Sequence, residues 1–158
     1  MTVIQKLKSA ERPLISAEFF PPKSGAAQDF FRKGAVELTG LKPDFVSVTC
    51  GAGGSAAGPT LEISKQLRGL GYNLVVPHCT CVGVSRSELA RSTDELVAQG
   101  FQNIMALRGD PPRGEKLFNP SLVDSVMPLN LFPFCASGTR NFVSVSPVIP
   151  KNILKAPV

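Results

Sequence analysis

The sequence lacks any apolar run approaching the ~20 residues that a membrane-spanning helix needs. Its first residues, "MTVIQKLKSAER", also lack the apolar core and small-residue cleavage site of a secretory leader, so a cytoplasmic protein is expected. There is no block of Lys or Arg. The formal charge of +5 comes from basic residues scattered singly among acids with few interleaved aromatics, which describes solvated helix faces rather than a nucleic-acid-binding surface. A small anionic partner, such as a phosphate-bearing cofactor, stays compatible with that charge. The four cysteines, Cys50, Cys79, Cys81 and Cys135, form no C-x-x-C pair and are too sparse for a disulfide scaffold, so unbridged thiols are expected. In "HCTC" (78 to 81), a strand would put His78 and Thr80 on one face and both cysteines on the other, which argues against a metal site.

What is present suits one soluble domain: 158 residues, 43% hydrophobic and 18% charged. Four short apolar runs have the length and β-branched content of buried strands: "PLISAEFF" (13 to 20), "DFVSVT" (44 to 49), "NLVVPHCT" (73 to 80) and "NIMALR" (103 to 108). They start roughly 30 residues apart, the length of a strand plus its crossover helix. Between them, Phe31, Ala35 and Leu38 share a helical face, as do Leu89, Thr93, Leu96 and Val97. "SRSE" (85 to 88) forms a capping box ahead of the second stripe and Gly100 follows it as a stop. Another helix is expected over Thr60 to Leu70, closed by Gly71 and with its start postponed by Gly58 and Pro59, and a short one over Thr2 to Ala10.

Strict alternation of strand and helix means a parallel sheet, either open and doubly wound or closed into a barrel. Each strand carries a polar residue at its C-terminal end: Glu18, Thr49, His78, and Arg108 with Asp110 just beyond. Polar ends on every strand favour a (β/α)8 barrel, where chemistry converges on one face, over an open sheet with a single switch point. From Asn119 the character changes. The last forty residues hold four charged residues against twenty-five before them, and six prolines interrupt any crossover helix, although "NFVSVSPV" could form a strand.

Two motifs invite a functional reading. "CGAGGSA" (50 to 56) formally satisfies G-x-G-x-x-A, yet no acid for a ribose hydroxyl ends the next strand, so a βα loop lining a site, or a merely structural loop, fits better than a dinucleotide fingerprint. Glu18 puts one carboxylate in an apolar strand, where it must be paired, protonated or facing a wet cavity. A carboxyl among apolar neighbours is biased toward its protonated form, which a general acid needs, while a structural pair with Arg108 is an equal alternative. His78 alone reads as a satisfied core histidine as readily as a catalyst. "RGD" (108 to 110) closes an apolar strand, a poor setting for an adhesion tripeptide.

Taken together, "SAEFFPPK", "PDFVSVTCGAGGS", "PHCTC" and "NIMALRGDPP", in this order and at these spacings, strongly resemble the 5,10-methylenetetrahydrofolate reductase family over about residues 10 to 118. The resemblance implies a (β/α)8 TIM barrel that binds FAD and passes a hydride from NAD(P)H to the folate substrate, giving methyltetrahydrofolate for methionine synthesis. It implies Glu18 as the general acid and Asp110 as the aspartate beside flavin and pterin. It also implies Thr49, His78, Leu107, Arg108, Gly109 and Asp110 as the FAD-binding set. Cys50 stands where the family usually has an aromatic.

A complete barrel typically needs ~250 residues. The expectation is therefore about four βα units in residues 1 to 118, the N-terminal half of the barrel. An irregular Pro-rich tail unlike the family should follow over 119 to 158, as a frameshift, a misread splice site or a gene fragment would leave. The alternative function is a non-catalytic half-barrel that acts as an interaction partner. The sequence leaves open a homo-oligomer and does not choose between NADH and NADPH.

Overall fold

A computed structural model describes residues 1–50, 57–80, 84–107 and 141–144. The described elements are α1 (Val3–Ser9), β1 (Ser16–Phe19), α2 (Gly25–Leu38), β2 (Phe45–Val48), α3 (Ala57–Gly69), β3 (Val75–Thr80), α4 (Arg86–Ala98), β4 (Asn103–Leu107) and β5 (Asn141–Ser144). All strands are parallel, in the spatial order β1-β2-β3-β4-β5. An open doubly wound sheet reverses its order at a switch point, whereas a barrel runs sequentially, as this sheet does. The four expected strands form where apolar runs were found. Asn141–Ser144, the start of "NFVSVSPV", adds a fifth beside β4.

Strand alternation divides the sheet into two faces. Phe19, Val46, Val48, Val75, Cys79, Ile104 and Ala106 turn toward the helices and join Ala35, Leu61, Leu67, Leu89 and Leu96 in one core. Phe19 packs edge-on against both Phe31 and Tyr72, with centroids 5.7 Å apart in each case, fastening β1 to α2 and to the turn after α3. The buried Tyr72 hydroxyl donates to the Ala35 carbonyl at 2.7 Å, and burial raises its pKa. Along β3, Val75–Pro77 face β2 in the ladder and His78–Thr80 face β4. The pairing thus steps up the strand as a barrel's stagger requires, and Pro77, which has no N–H to give, sits at the handover.

The helix ends follow local chemistry. Ser85 and Glu88 form the capping box expected from "SRSE", and Thr2 with Gln5 forms a second one at α1. The expectation that Gly58 and Pro59 postpone α3 is corrected: the helix begins at Ala57 and contains both in its first turn. First-turn amides have no intrahelical acceptor, so a proline there forfeits nothing.

Both α3 and α4 close by the same device. Tyr72 N–H reaches Leu67 O and Gly71 N–H reaches Arg68 O; Phe101 N–H reaches Leu96 O and Gly100 N–H reaches Val97 O. Gly71 and Gly100 take φ of 95° and 80° to do so. Arg68 lies over Phe101 at 4.8 Å and donates to the Gln99 carbonyl at 2.6 Å, tying the two helix ends together. Gly100→Ala is therefore expected to cost about 1–2 kcal/mol, read as a lower urea midpoint with an unchanged slope.

The N-terminal end of the sheet is sealed by α1. Its Val3 N–H donates to Asn103 Oδ1 at 3.0 Å, and Lys6 Nζ reaches both the carbonyl and the carboxylate of Asp44, each at 3.1 Å. Arg12 grips the same buried carboxylate with both guanidinium arms at 2.8 and 2.9 Å, and Ile15 N–H donates at 2.8 Å. The Arg12 hydrogen bond, then that of Ile15, hold the Asp44 carboxyl far below its ordinary value. The folded chain keeps this group ionised where the unfolded chain has taken up a proton. Its contribution is full above about pH 4 and is lost as pH falls further, toward the folded value. Urea midpoints from neutral to acid pH should fall steeply for the wild type below about pH 4. Asp44→Asn should be less stable at neutral pH and show a flatter acid limb.

Candidate functional site

The other face of the sheet carries the polar groups. Glu18, Ser47, His78, Thr80, Met105 and Leu107 alternate with the core residues and lie toward the C-terminal ends of their strands. The ladder sets Glu18 beside Ser47, Ser47 beside Val76 and His78 beside Met105, so β1, β2, β3 and β4 bring these residues onto one surface. The alternation expected of "HCTC" holds for its described part: His78 faces this surface while Cys79 packs in the core.

The sharpest feature is a contact between Glu18 Oε1 and His78 Nε2 at 3.6 Å. Their surroundings differ. The Glu18 side chain is 47% exposed, whereas that of His78 is 6% exposed and its Nε2 has no hydrogen-bond partner among the described residues. Burial pushes the His78 pKa down and the Glu18 charge partly opposes this, so the neutral imidazole is the favoured form in the fold. The apolar burial expected for Glu18 is not found: Phe19 turns into the core and Phe20 is 67% exposed. The alternation of β1 sends the carboxylate to the polar face, away from the Phe19 ring.

Thr49, just beyond β2, is held through its backbone. Its N–H donates to Phe19 O at 3.0 Å, and its carbonyl accepts from the buried Thr60 hydroxyl at 3.0 Å. Next to it, Cys50 Sγ accepts from Thr80 Oγ1 at 3.6 Å. A small, mainly apolar cleft opens there, lined by Cys50, Thr60, His78, Thr80, Val84 and Leu89 among others. Glu18 does not line this cleft, which shares His78 with the Glu18 contact and reaches toward α4 at Leu89 and Leu96.

With strand order, polar face and strand-end residues in place, the comparison with known proteins is direct. The family model described as methylenetetrahydrofolate reductase matches residues 3–145. The chain belongs to the methylenetetrahydrofolate reductase family. That match extends through β5 and past residue 118, where the sequence changes character. Among methylenetetrahydrofolate reductases, a probable NADH enzyme of Oryza sativa subsp. japonica is 34% identical over 121 residues, covering 75% of this chain and 20% of the relative. The NADH enzyme 1 of Arabidopsis thaliana gives the same identity and coverage. The 5,10-methylenetetrahydrofolate reductase of Escherichia coli K12 is 35% identical over 100 residues, 63% of this chain and 34% of the relative. The chain thus spans a fifth to a third of the relatives it matches.

Of the positions singled out by resemblance to methylenetetrahydrofolate reductase, the structure places Glu18, Thr49, His78 and Leu107 at the C-terminal side of the sheet and brings Glu18 and His78 into contact. Arg108, Gly109 and Asp110 lie outside the described residues, as does the loop from Gly51 to Ala56. So does the cationic end of the alternative Glu18 pairing with Arg108. Thr80 takes the face beside His78 that alternation predicts, whereas Ser47, the polar residue of an alternating run, is a member of this surface that the sequence reading did not single out. The Asp44 cluster offered no local signal, because its partners come from α1 and the segment before β1.

Proposed function

We propose that this chain carries part of the site that reduces 5,10-methylenetetrahydrofolate to 5-methyltetrahydrofolate, with FAD as cofactor and NAD(P)H as hydride donor, in the cytoplasm. The observation that supports it best is the meeting of Glu18 and His78 at the C-terminal ends of parallel strands, where catalytic groups of barrel enzymes gather. FAD fits the residues present, since the strand-end surface sets the polar side chains of Ser47, His78 and Thr80 beside the apolar Met105 and Leu107, a mix that suits a flat, largely apolar ring with polar edges. Thr49, His78 and Leu107 would hold the cofactor together with Arg108, Gly109 and Asp110. When bound, FAD supplies the hydride carrier between nicotinamide and folate. The plant relatives are named for NADH, which makes NADH the first donor to try.

The chain's own residues supply the acid chemistry. In its acid form, Glu18 would give a proton to a nitrogen of the folate's five-membered ring, the C–N bond would break, and the substrate would become the iminium ion that accepts hydride. Glu18 is left as carboxylate and regains a proton from water, to which its side chain is open. By the family resemblance, Asp110 would supply the negative charge that favours the cationic iminium. If nicotinamide and folate use the cofactor in turn, the two half-reactions are separable. With FAD-loaded chain under anaerobic conditions, NADH should bleach the flavin absorbance and methylenetetrahydrofolate should restore it. Flavin that binds and responds to neither would overturn the reading and leave a non-catalytic half-barrel.

A further inference from the structure

We infer that His78 is a positioning residue for Glu18: its imidazole restrains the half-exposed carboxyl group at the C-terminal end of the polar face. The inference rests on the acid role proposed for Glu18 and adds what holds that acid in place.

Three observations carry it. The first is the 3.6 Å separation of Glu18 Oε1 from His78 Nε2, which a small rotation of the Glu18 side chain closes to a hydrogen bond. The second is that Nε2 is buried and has no hydrogen-bond partner among the described residues, with the Glu18 carboxylate as the charged group in contact with it. The third is the uncharged setting of the pair among the described residues. On the strands flanking His78, β2 contributes Ser47 and β4 contributes Met105 to this face, and neither carries charge. Among the described residues of β1 to β4, Glu18 is the charged side chain on the polar face. The nearby titratable Cys50 accepts from Thr80.

The backbone makes the pairing dependable. β1 and β3 both pair with β2, so the spacing between Glu18 and His78 is set by the sheet and not by loops. With its proton on Nε2, the neutral imidazole donates toward the carboxylate that remains once Glu18 has released its proton. The exposed side of the same carboxylate stays open to water for reprotonation. One wall of the pair therefore orients the acid while the other recharges it.

His78 is the sole histidine in the chain, so its ring gives a single NMR titration curve that needs neither cofactor nor substrate. In the full chain, the Glu18→Gln variant should show a lower His78 midpoint than the wild type, because the Glu18 charge is what favours the imidazolium. An unmoved midpoint, with amide spectra showing an intact fold, would overturn the pairing. The positioning role is read separately on FAD-loaded chain, as the ratio of the folate half-reaction to the NADH half-reaction per bound flavin. His78→Gln keeps an N–H donor and should hold that ratio within about threefold, whereas His78→Leu should lower it about tenfold or more. An unchanged ratio in His78→Leu would refute positioning. Failure of the chain to bind FAD would count against the reductase reading, and the imidazole titration would still decide the pairing by itself.

Discussion

Glu18→Gln is expected to lower reduction of methylenetetrahydrofolate about 10²- to 10⁴-fold while NADH continues to reduce the bound flavin at close to the wild-type rate. Glutamine preserves the size and polarity of the side chain but has no acidic proton to give. Since β1 exposes about half of this side chain, the exchange removes no core packing. The loss should therefore appear in one half-reaction alone. Anaerobic stopped-flow absorbance measures both on the same sample. Equal loss in both half-reactions would mean that residue 18 supports the cofactor or the fold, not proton delivery.

The second large effect is on stability. Phe19→Ala should cost about 3–5 kcal/mol, measured as a shift in urea midpoint. The ring is buried, it makes edge contacts with Phe31 and Tyr72, and it anchors the strand that presents Glu18 on its opposite face. Against the 5–15 kcal/mol typical of whole domains, this is enough to unfold a marginal one. A cost below about 1 kcal/mol would show that β1 is held by its ladder to β2 and not by the aromatic cluster. The two neighbours Glu18 and Phe19 thus separate chemistry from stability, because alternation sends one to each face.

That separation also marks how far the sequence was legible. The capping box at Ser85, the stripe through Leu89, Thr93 and Leu96, and the glycine stop at Gly100 are all local signals, and α4 follows them closely. The start of α3 was misjudged because Pro59 was read as a barrier, when position within the first turn decides whether a proline interferes. For the candidate site, the polar residues at strand ends lie together on one face of the sheet, as period-two alternation leads one to expect. The pairing of Glu18 with His78 was not legible, because it depends on the register of two ladders across β2 and on the reach of side chains between non-adjacent strands. The Asp44 cluster escaped for a similar reason. Arg12 is about thirty residues away along the chain, and the signal exists only after β1 and β2 have paired.

The central claim is that this chain presents a flavin site built on the ends of its parallel strands. Titration of the purified, full-length chain with FAD, followed by quenching of flavin fluorescence and by shifts in the flavin absorbance bands, tests it most directly. Saturable binding is expected, weakened in His78→Leu because the variant removes the imidazole from the polar groups of that surface. A folded chain whose addition leaves the spectrum of FAD unchanged would contradict the account.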